Sequence, residues 1–245
     1  MPDGNSRRVL LKLSGEALGG PSGSCLDHAA LTMVSDQIVR AASSVQIAIV
    51  VGAGNILRGS DWADLNVHRT DSDAIGMVAT HVNALALAAC IRSDGQDCIV
   101  MGPHSSVPQV EVFDSHLARN HLACQKVILL AGGTGNPFFT TDTCAALRAA
   151  ELDADELLKG TKHDGIFDCD PANNSNAKKF DHITFDEVLS RGLAAMDSTA
   201  FTLCREQGIP LRIFDMNLPG AIFAAVTGDG VGSSITSSVE GKVDL

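Results

Sequence analysis

Gly133-Thr134-Gly135-Asn136-Pro137-Phe138-Phe139-Thr140-Thr141-Asp142 lies between an apolar run, Lys126 to Ala131, and a stretch with helical character, Thr143 to Leu152. The order is strand, glycine-rich turn, hydroxyl-rich helix start. Backbone N–H groups and hydroxyls converge in such a turn, and a polar or anionic ligand sits readily there. An ordinary strand-to-helix loop with an Asp cap has the same outline. The adjacent Phe138 and Phe139 set this one apart, because two aromatics in a polar loop are odd unless something packs against them.

Five more apolar runs read as strands: Arg8 to Leu13, Gln46 to Val51, Asp97 to Met101, Asp155 to Gly160 and Pro210 to Phe214. Several are apolar on both sides of the alternation, as doubly covered parallel strands are. Helical segments separate them, at Asp27 to Ala42, Asp73 to Arg92, Phe185 to Arg191 and Ser198 to Gln207. This alternation predicts a three-layer α/β/α sandwich with a mostly parallel central sheet. A weak final strand is expected at Ser233 to Thr236, and a lobe boundary near residue 155 within one domain spanning 1–245. In such sheets ligands bind at the carboxyl ends of the strands. Four strands there run into suggestive sequence: Lys12-Leu13-Ser14-Gly15-Glu16-Ala17, Gly52-Ala53-Gly54-Asn55, the Gly132 to Thr134 turn, and Lys159-Gly160-Thr161.

The 245 residues carry 18 basic and 29 acidic side chains, a net charge of −11. That argues against nucleic acid or an anionic membrane as the main partner. Any anion site must gather its few cations locally. Seven cysteines, at 25, 90, 98, 124, 144, 169 and 204, show no C-x-x-C pair or Cys/His cluster, so buried thiols in a reducing cytosol are expected. No apolar leader stands at the N-terminus and no run reaches transmembrane length, which leads to a soluble cytoplasmic expectation.

A Lys at the end of an apolar strand is costly to bury unless an anion pairs with it, and Gly15 beside Lys12 lets a phosphate approach the backbone. Gly52-Ala53-Gly54-Asn55 fails the dinucleotide fingerprint, because Leu57 stands where the third glycine belongs. Arg58 follows one turn on, a fork suited to phosphate. There is no G-x-x-x-x-G-K-[ST], so nucleoside triphosphate would be handled without a P-loop, and no H-E-x-x-H or other metal spacing occurs. In Lys159 to Pro171, the Asp164-Gly165 and Asp170-Pro171 steps mark turns, where Phe167 and nearby carboxylates can frame a purine and ribose.

Taken in order, these loops resemble the bacterial uridylate kinases of the amino acid kinase superfamily. The motifs are KLSGEAL (Lys12 to Leu18), G-x-G-N-x-x-R-G (Gly52 to Gly59), D-x-x-G-M (Asp73 to Met77), TGNPFFTTD (Thr134 to Asp142), KGTKHDGIFDCDP (Lys159 to Pro171) and Met196-Asp197. The resemblance implies transfer of the ATP γ-phosphoryl group to UMP in pyrimidine nucleotide biosynthesis. It implies catalytic roles for Lys12, Asp142, Lys159 and Asp197. ATP would contact Lys12, Leu13, Ser14, Gly15, Gly54, Arg58, Thr161, Phe167 and Asp170. UMP would contact Ala53, Arg58, Asp73, and Thr134, Gly135, Asn136, Pro137, Phe138, Phe139, Thr140 and Thr141, with Asp73 on the ribose hydroxyls. Residues of about 8–154 would form the UMP and phosphoryl-transfer lobe, and about 155–236 the ATP-nucleoside lobe. Mg²⁺ would enter with ATP, no metal would be held by protein alone, and the chain would form a homohexamer with UTP as feedback inhibitor. Two departures stand out: Ala53 replaces a glycine of G-G-G-N, and Ser24-Cys25 replaces an aromatic-glycine pair, which argues against GTP activation. Two other readings stay open: a kinase of the same superfamily acting on a carboxylate or carbamate, and a non-catalytic oxoanion or nucleotide binding or storage protein.

Overall fold

Strands that are apolar on both faces need cover on both faces, and the segments between them supply it as helices. The computed structural model describes residues 6–20, 24–57, 66–105, 107–171, 173–174 and 176–238. Its strands are β1 (Arg8–Leu13), β2 (Gln46–Val51), β3 (Cys98–Gly102), β4 (Val110–Val112), β5 (Val127–Leu130), β6 (Glu156–Thr161), β7 (Ile166–Phe167), β8 (Lys179–Phe180), β9 (His182–Thr184), β10 (Leu211–Asp215) and β11 (Ser233–Thr236). Nine form one sheet in the order β4-β3-β5-β2-β1-β6-β10-β11-β9, parallel except for the β10–β11 pair. β7 and β8 make a separate antiparallel ribbon.

The helices are α1 (His28–Ala42), α2 (Arg69–Ser93), α3 (Ser115–Ala123), α4 (Thr141–Glu151), α5 (Phe185–Arg191), α6 (Ser198–Glu206) and α7 (Ala221–Thr227). Alternation along each strand sends side chains to two cores. Leu11 and Leu13 of β1 and Leu158 of β6 join α1, α2 and α7 on one face. Leu10 and Leu157 join α3, α4, α5 and α6 on the other. The three-layer expectation is therefore met.

Every expected strand lies within one residue of an observed one, because a buried apolar run has little freedom over where it pairs. Helix starts moved more. α2 begins at Arg69, four residues before the expected Asp73, and α4 begins at Thr141. Thr140, not an Asp, caps α4, its hydroxyl accepting from the Asp142 and Thr143 N–H groups at 3.0 and 3.1 Å. Short elements such as α3, α7, β4 and β9 went unexpected, since they carry too few residues to show a period.

Two other expectations need correction. Cys25, Cys124 and Cys169 are exposed, whereas Cys98, Cys144 and Cys204 are buried. Burial pushes the Cys98 and Cys204 thiols up to about 12 and Cys144 to about 11. And α2, at 25 residues, is by length and composition able to cross a bilayer. Here it instead buries Asn83, Ala84, Leu87, Ala88 and Ile91 within the fold.

Phe201 of α6 is 1% exposed in the second core. Replacing it with Ala should cost about 3–5 kcal/mol, as truncation of a buried aromatic does. Urea denaturation measures this, and a loss under about 1 kcal/mol would mean the site collapses around the missing ring.

Candidate active site

β5, β2, β1 and β6 are consecutive in the sheet, so the four loops singled out in the sequence leave it side by side. β1 and β6 pair in parallel with Lys12 opposite Lys159. Equal register on parallel strands points both side chains to the same face, here that of α4 and α6. Both lysines are 8% exposed. Two neighbouring buried ammoniums repel each other and cannot persist without an anion.

Asp142 supplies it. Its Oδ1 lies 2.8 Å from Lys12 Nζ, and its Oδ2 accepts from Lys159 Nζ at 2.5 Å. Lys159 also donates to the Ala195 carbonyl at 2.5 Å. Because Thr140 is the cap, the Asp142 carboxylate is free to reach the lysines from the first turn of α4, where the helix dipole also favours an anion. Asp197 fixes that turn: Thr140 and Thr143 donate to its two oxygens at 2.5 and 2.9 Å, while it caps α6 through the Ala200 N–H.

Burial pushes the Asp142 carboxyl up, but the two ammoniums outweigh it and hold the group below its ordinary 3.8. Burial likewise draws Lys159 below its ordinary 10.5; Asp142 pulls it back and the Lys12 charge pushes it down again. Asp142 has two opposite charges beside it, whereas Lys159 has Asp142 and Asp197 opposed by the like charge of Lys12 and by its own burial.

A cavity of about 340 Å³ opens on one side of this cluster, lined by Lys12, Ser14, Glu16, Lys159, Thr161, Lys162 and His163 among others. It adjoins a second, of about 470 Å³, lined by Phe167, Cys169, Asp170 and Arg191, with His163, Gly165, Ala194 and Ala195 common to both. On the other side, a cavity of about 340 Å³ is lined by Ala53, Gly54, Asp73, Gly76, Met77, Thr80, Asn136, Phe139, Thr140 and Thr141. Thr141 and Asp142 are neighbours in the chain, so the paired lysines stand where the two sides meet.

Some expected residues lie elsewhere. Gly54 lines the same cavity as Ala53, not the side of Lys12 and Thr161. Gly15 has a packing reason of its own: a Cβ there would meet Asn55 Oδ1 at 2.4 Å, Gly52 O at 2.7 Å and Gly54 N at 2.8 Å. Leu13 is fully buried, and its carbonyl accepts from the Gly52 N–H. Thr134 is spent within its own turn, its hydroxyl accepting from the Asn136 N–H. Gly135 packs on Pro103. Pro137 and Phe138 do not line the cavity; Phe138 is 59% exposed, with the Arg69 guanidinium 5.5 Å from its ring. Asp73 accepts from the Phe138 N–H at 2.7 Å and so ties the aromatic loop to α2. Arg58 lies outside the described residues, as do residues 21–23 of the Gly19 to Leu26 segment.

Asn83 escaped the sequence reading. Fully buried on α2, it donates to Gly52 O and Asn55 Oδ1, both at 2.7 Å, and accepts from Asn55 Nδ2 at 3.0 Å. It sets the glycine loop from below, and Asn55 passes the restraint on to the Cys25 carbonyl. Nothing local marks such a residue; a polar side chain on the inward face of an apolar helix was the available signal. Glu16 and Lys162 also went unassigned. They pair across the Lys12 side, half in solvent, where an ion pair contributes little.

The sequence pattern of the amino acid kinase family matches residues 7–215. The chain is 44% identical to the uridylate kinase of Pseudomonas syringae pv. syringae over 230 residues, covering 94% of each. In structure it is similar to UMP kinase from Ureaplasma parvum, with a TM-score of 0.90 at 33% identity over 95% of this chain and 99% of that one. Against UMP kinase from Bacillus anthracis the TM-score is 0.91 at 30% identity, over 95% and 97%.

Between neutral pH and 10.5 the folded Lys159 should lose its proton before an unfolded lysine does, because burial disfavours its charge. The Asp142 contribution to stability is present above 3.8 and is lost as pH falls through its lower folded value. Asp142→Asn should destabilise by about 3 kcal/mol and move Lys159 further down. Lysine ¹³Cε NMR titration reads the second effect, and a Lys159 that titrates at 10.5 or above would contradict the account.

Proposed function

The chain belongs to the amino acid kinase family, and we propose that it is an ATP-dependent uridylate kinase, moving the γ-phosphoryl group of ATP to the phosphate of UMP. One observation carries the reading: two buried lysines sharing Asp142 stand between two cavities, with the Thr134 to Asp142 loop on the acceptor side. A phosphoryl transfer asks for that arrangement, since two anions must meet in line and nothing covalent is required of the protein.

Lys12 and Lys159 neutralise charge on the transferred group, and Asp142 keeps both aimed at it. Asp197 acts through Thr140 and Thr143 as a positioning residue. The UMP phosphate is already an ionised nucleophile, so no general base is needed. Thr161, Phe167 and Asp170 take the ATP nucleoside, supported by the cavities along residues 159–195. Ala53, Asp73 and Asn136 to Thr141 take UMP, with Arg58 as phosphate grip. That division supports residues 8–154 as the acceptor lobe, to which Lys12 and Ser14 add donor contacts, and 155–236 as the nucleoside lobe.

A kinase of this family takes a divalent metal with its nucleotide, and we take that ion to be Mg²⁺. On this reading the ion arrives on the phosphates and neutralises their charge there; among the described residues no three Asp, Glu, His or Cys side chains cluster. The same reading includes a cytoplasmic place in pyrimidine nucleotide synthesis, UTP as feedback inhibitor, at most weak activation by GTP, and a homohexamer. Ile75, Val78 and Val82, exposed on the outer side of α2, support self-association. Lys12, Asp142 and Lys159 together argue against a storage protein, and the Phe138-Phe139 loop with Asp73 argues against a carboxylate kinase.

With ATP and Mg²⁺, UMP should be turned over faster than CMP, dUMP, AMP or GMP; equal or faster use of AMP or GMP would remove the assignment.

Lys12→Ala should lower kcat by about 10² or more, the scale of a deleted electrostatic contact. Steady-state kinetics at saturating ATP and UMP measure it, and a near-normal kcat would take Lys12 out of the mechanism.

A further inference from the structure

Gly76 lies two turns inside α2, where glycine costs helix stability relative to alanine. The ordinary reasons for a glycine fail there. Its backbone is right-handed helix, so no positive φ requires it. Nothing crowds it, since a Cβ built at this position meets no atom within 4 Å. It is no cap, as the helix continues to Ser93.

The Cβ would instead enter the acceptor cavity. Gly76 lines it with Ser72 and Asp73 one turn before and Thr80 one turn after, a spacing that puts all four on one side of the helix. Farther along that side, Asn83, Ala84 and Leu87 are fully buried, while Ile75, Val78 and Val82 occupy the opposite side. The inward face of α2 is thus filled from Thr80 onward and open at Gly76. Helix stability is given up at a place where the protein itself leaves the space unused.

We propose that Gly76 is a specificity-determining residue for the acceptor. Its bare backbone is the floor against which the pentose of a nucleoside monophosphate lies, with the sugar hydroxyls toward Asp73 one turn away. This rests on the acceptor cavity being the UMP site. A side chain at 76 takes the volume the sugar needs, so the position selects by space, not by contact.

Gly76→Ala and Gly76→Leu, made in the full chain, test this. Gly76→Ala should melt at or above the wild type, by about 2–4 °C for a domain of this size. The KM for UMP should rise about tenfold in Gly76→Ala and further in Gly76→Leu, with the KM for ATP within about twofold. A KM for UMP unchanged in both variants overturns the proposal, and so does a rise confined to ATP. A Gly76→Ala that melts well below the wild type also overturns it, by showing that the backbone needs glycine. Failure of the function is separately visible in the wild type. If it phosphorylates a different monophosphate, the same comparison is made with that one; if it phosphorylates none, both ideas fall.

Discussion

Asp142 shared between Lys12 and Lys159 is the contact on which the rest of the site depends. Two ammoniums at one register of adjacent central strands would be intolerable without it, because each loses water and feels the other's charge. The carboxylate can reach both only because Thr140 takes over the capping of α4, and Thr140 stays in place because Asp197 holds it. Asp142 leaves the two lysines one excess positive charge beside a cavity, in a chain whose net charge is −11. Local concentration of cations, not overall charge, is what lets an acidic protein receive a polyphosphate.

The loops around that cluster are locked by close packing. Gly15 sits so near Gly52, Gly54 and Asn55 that neither loop can shift without the other. Asn83 holds the second loop from α2 through a reciprocal pair of amides, and Asn55 carries the restraint to Cys25. α2 therefore holds the glycine loop with one face while presenting Ile75, Val78 and Val82 to solvent with another. A partner on that outer face would bear on the helix that sets the glycine loop.

The cavity beside α2 is built differently. One wall is a helix face kept short of side-chain volume, and beside it runs a loop whose Phe138 is held by one backbone bond to Asp73 and one contact with Arg69. Phe138 adopts a φ of +72°, a conformation that costs a non-glycine residue energy and that Asp73 helps to hold. Tight packing around the lysine cluster stands beside unfilled space along α2.

The fold class, the central strands to within a residue, and the four loops that meet at the sheet's carboxyl edge are legible in the chain of residues alone. They are so because a doubly covered strand is a continuous apolar run and a ligand loop is glycine-rich, and both signals are local. The resemblance carried by TGNPFFTTD and KLSGEAL extended this to Lys12, Asp142 and Lys159. Which residues meet is a matter of three-dimensional packing. Gly54 lines one cavity with Ala53, Gly15 has a packing role, Thr140 is the cap of α4, Asn83 holds the glycine loop, and space is left at Gly76. Each of these rests on atoms far apart in the chain, and strand pairing and helix packing bring them within a few ångströms. No periodicity or spacing in one segment records that distance.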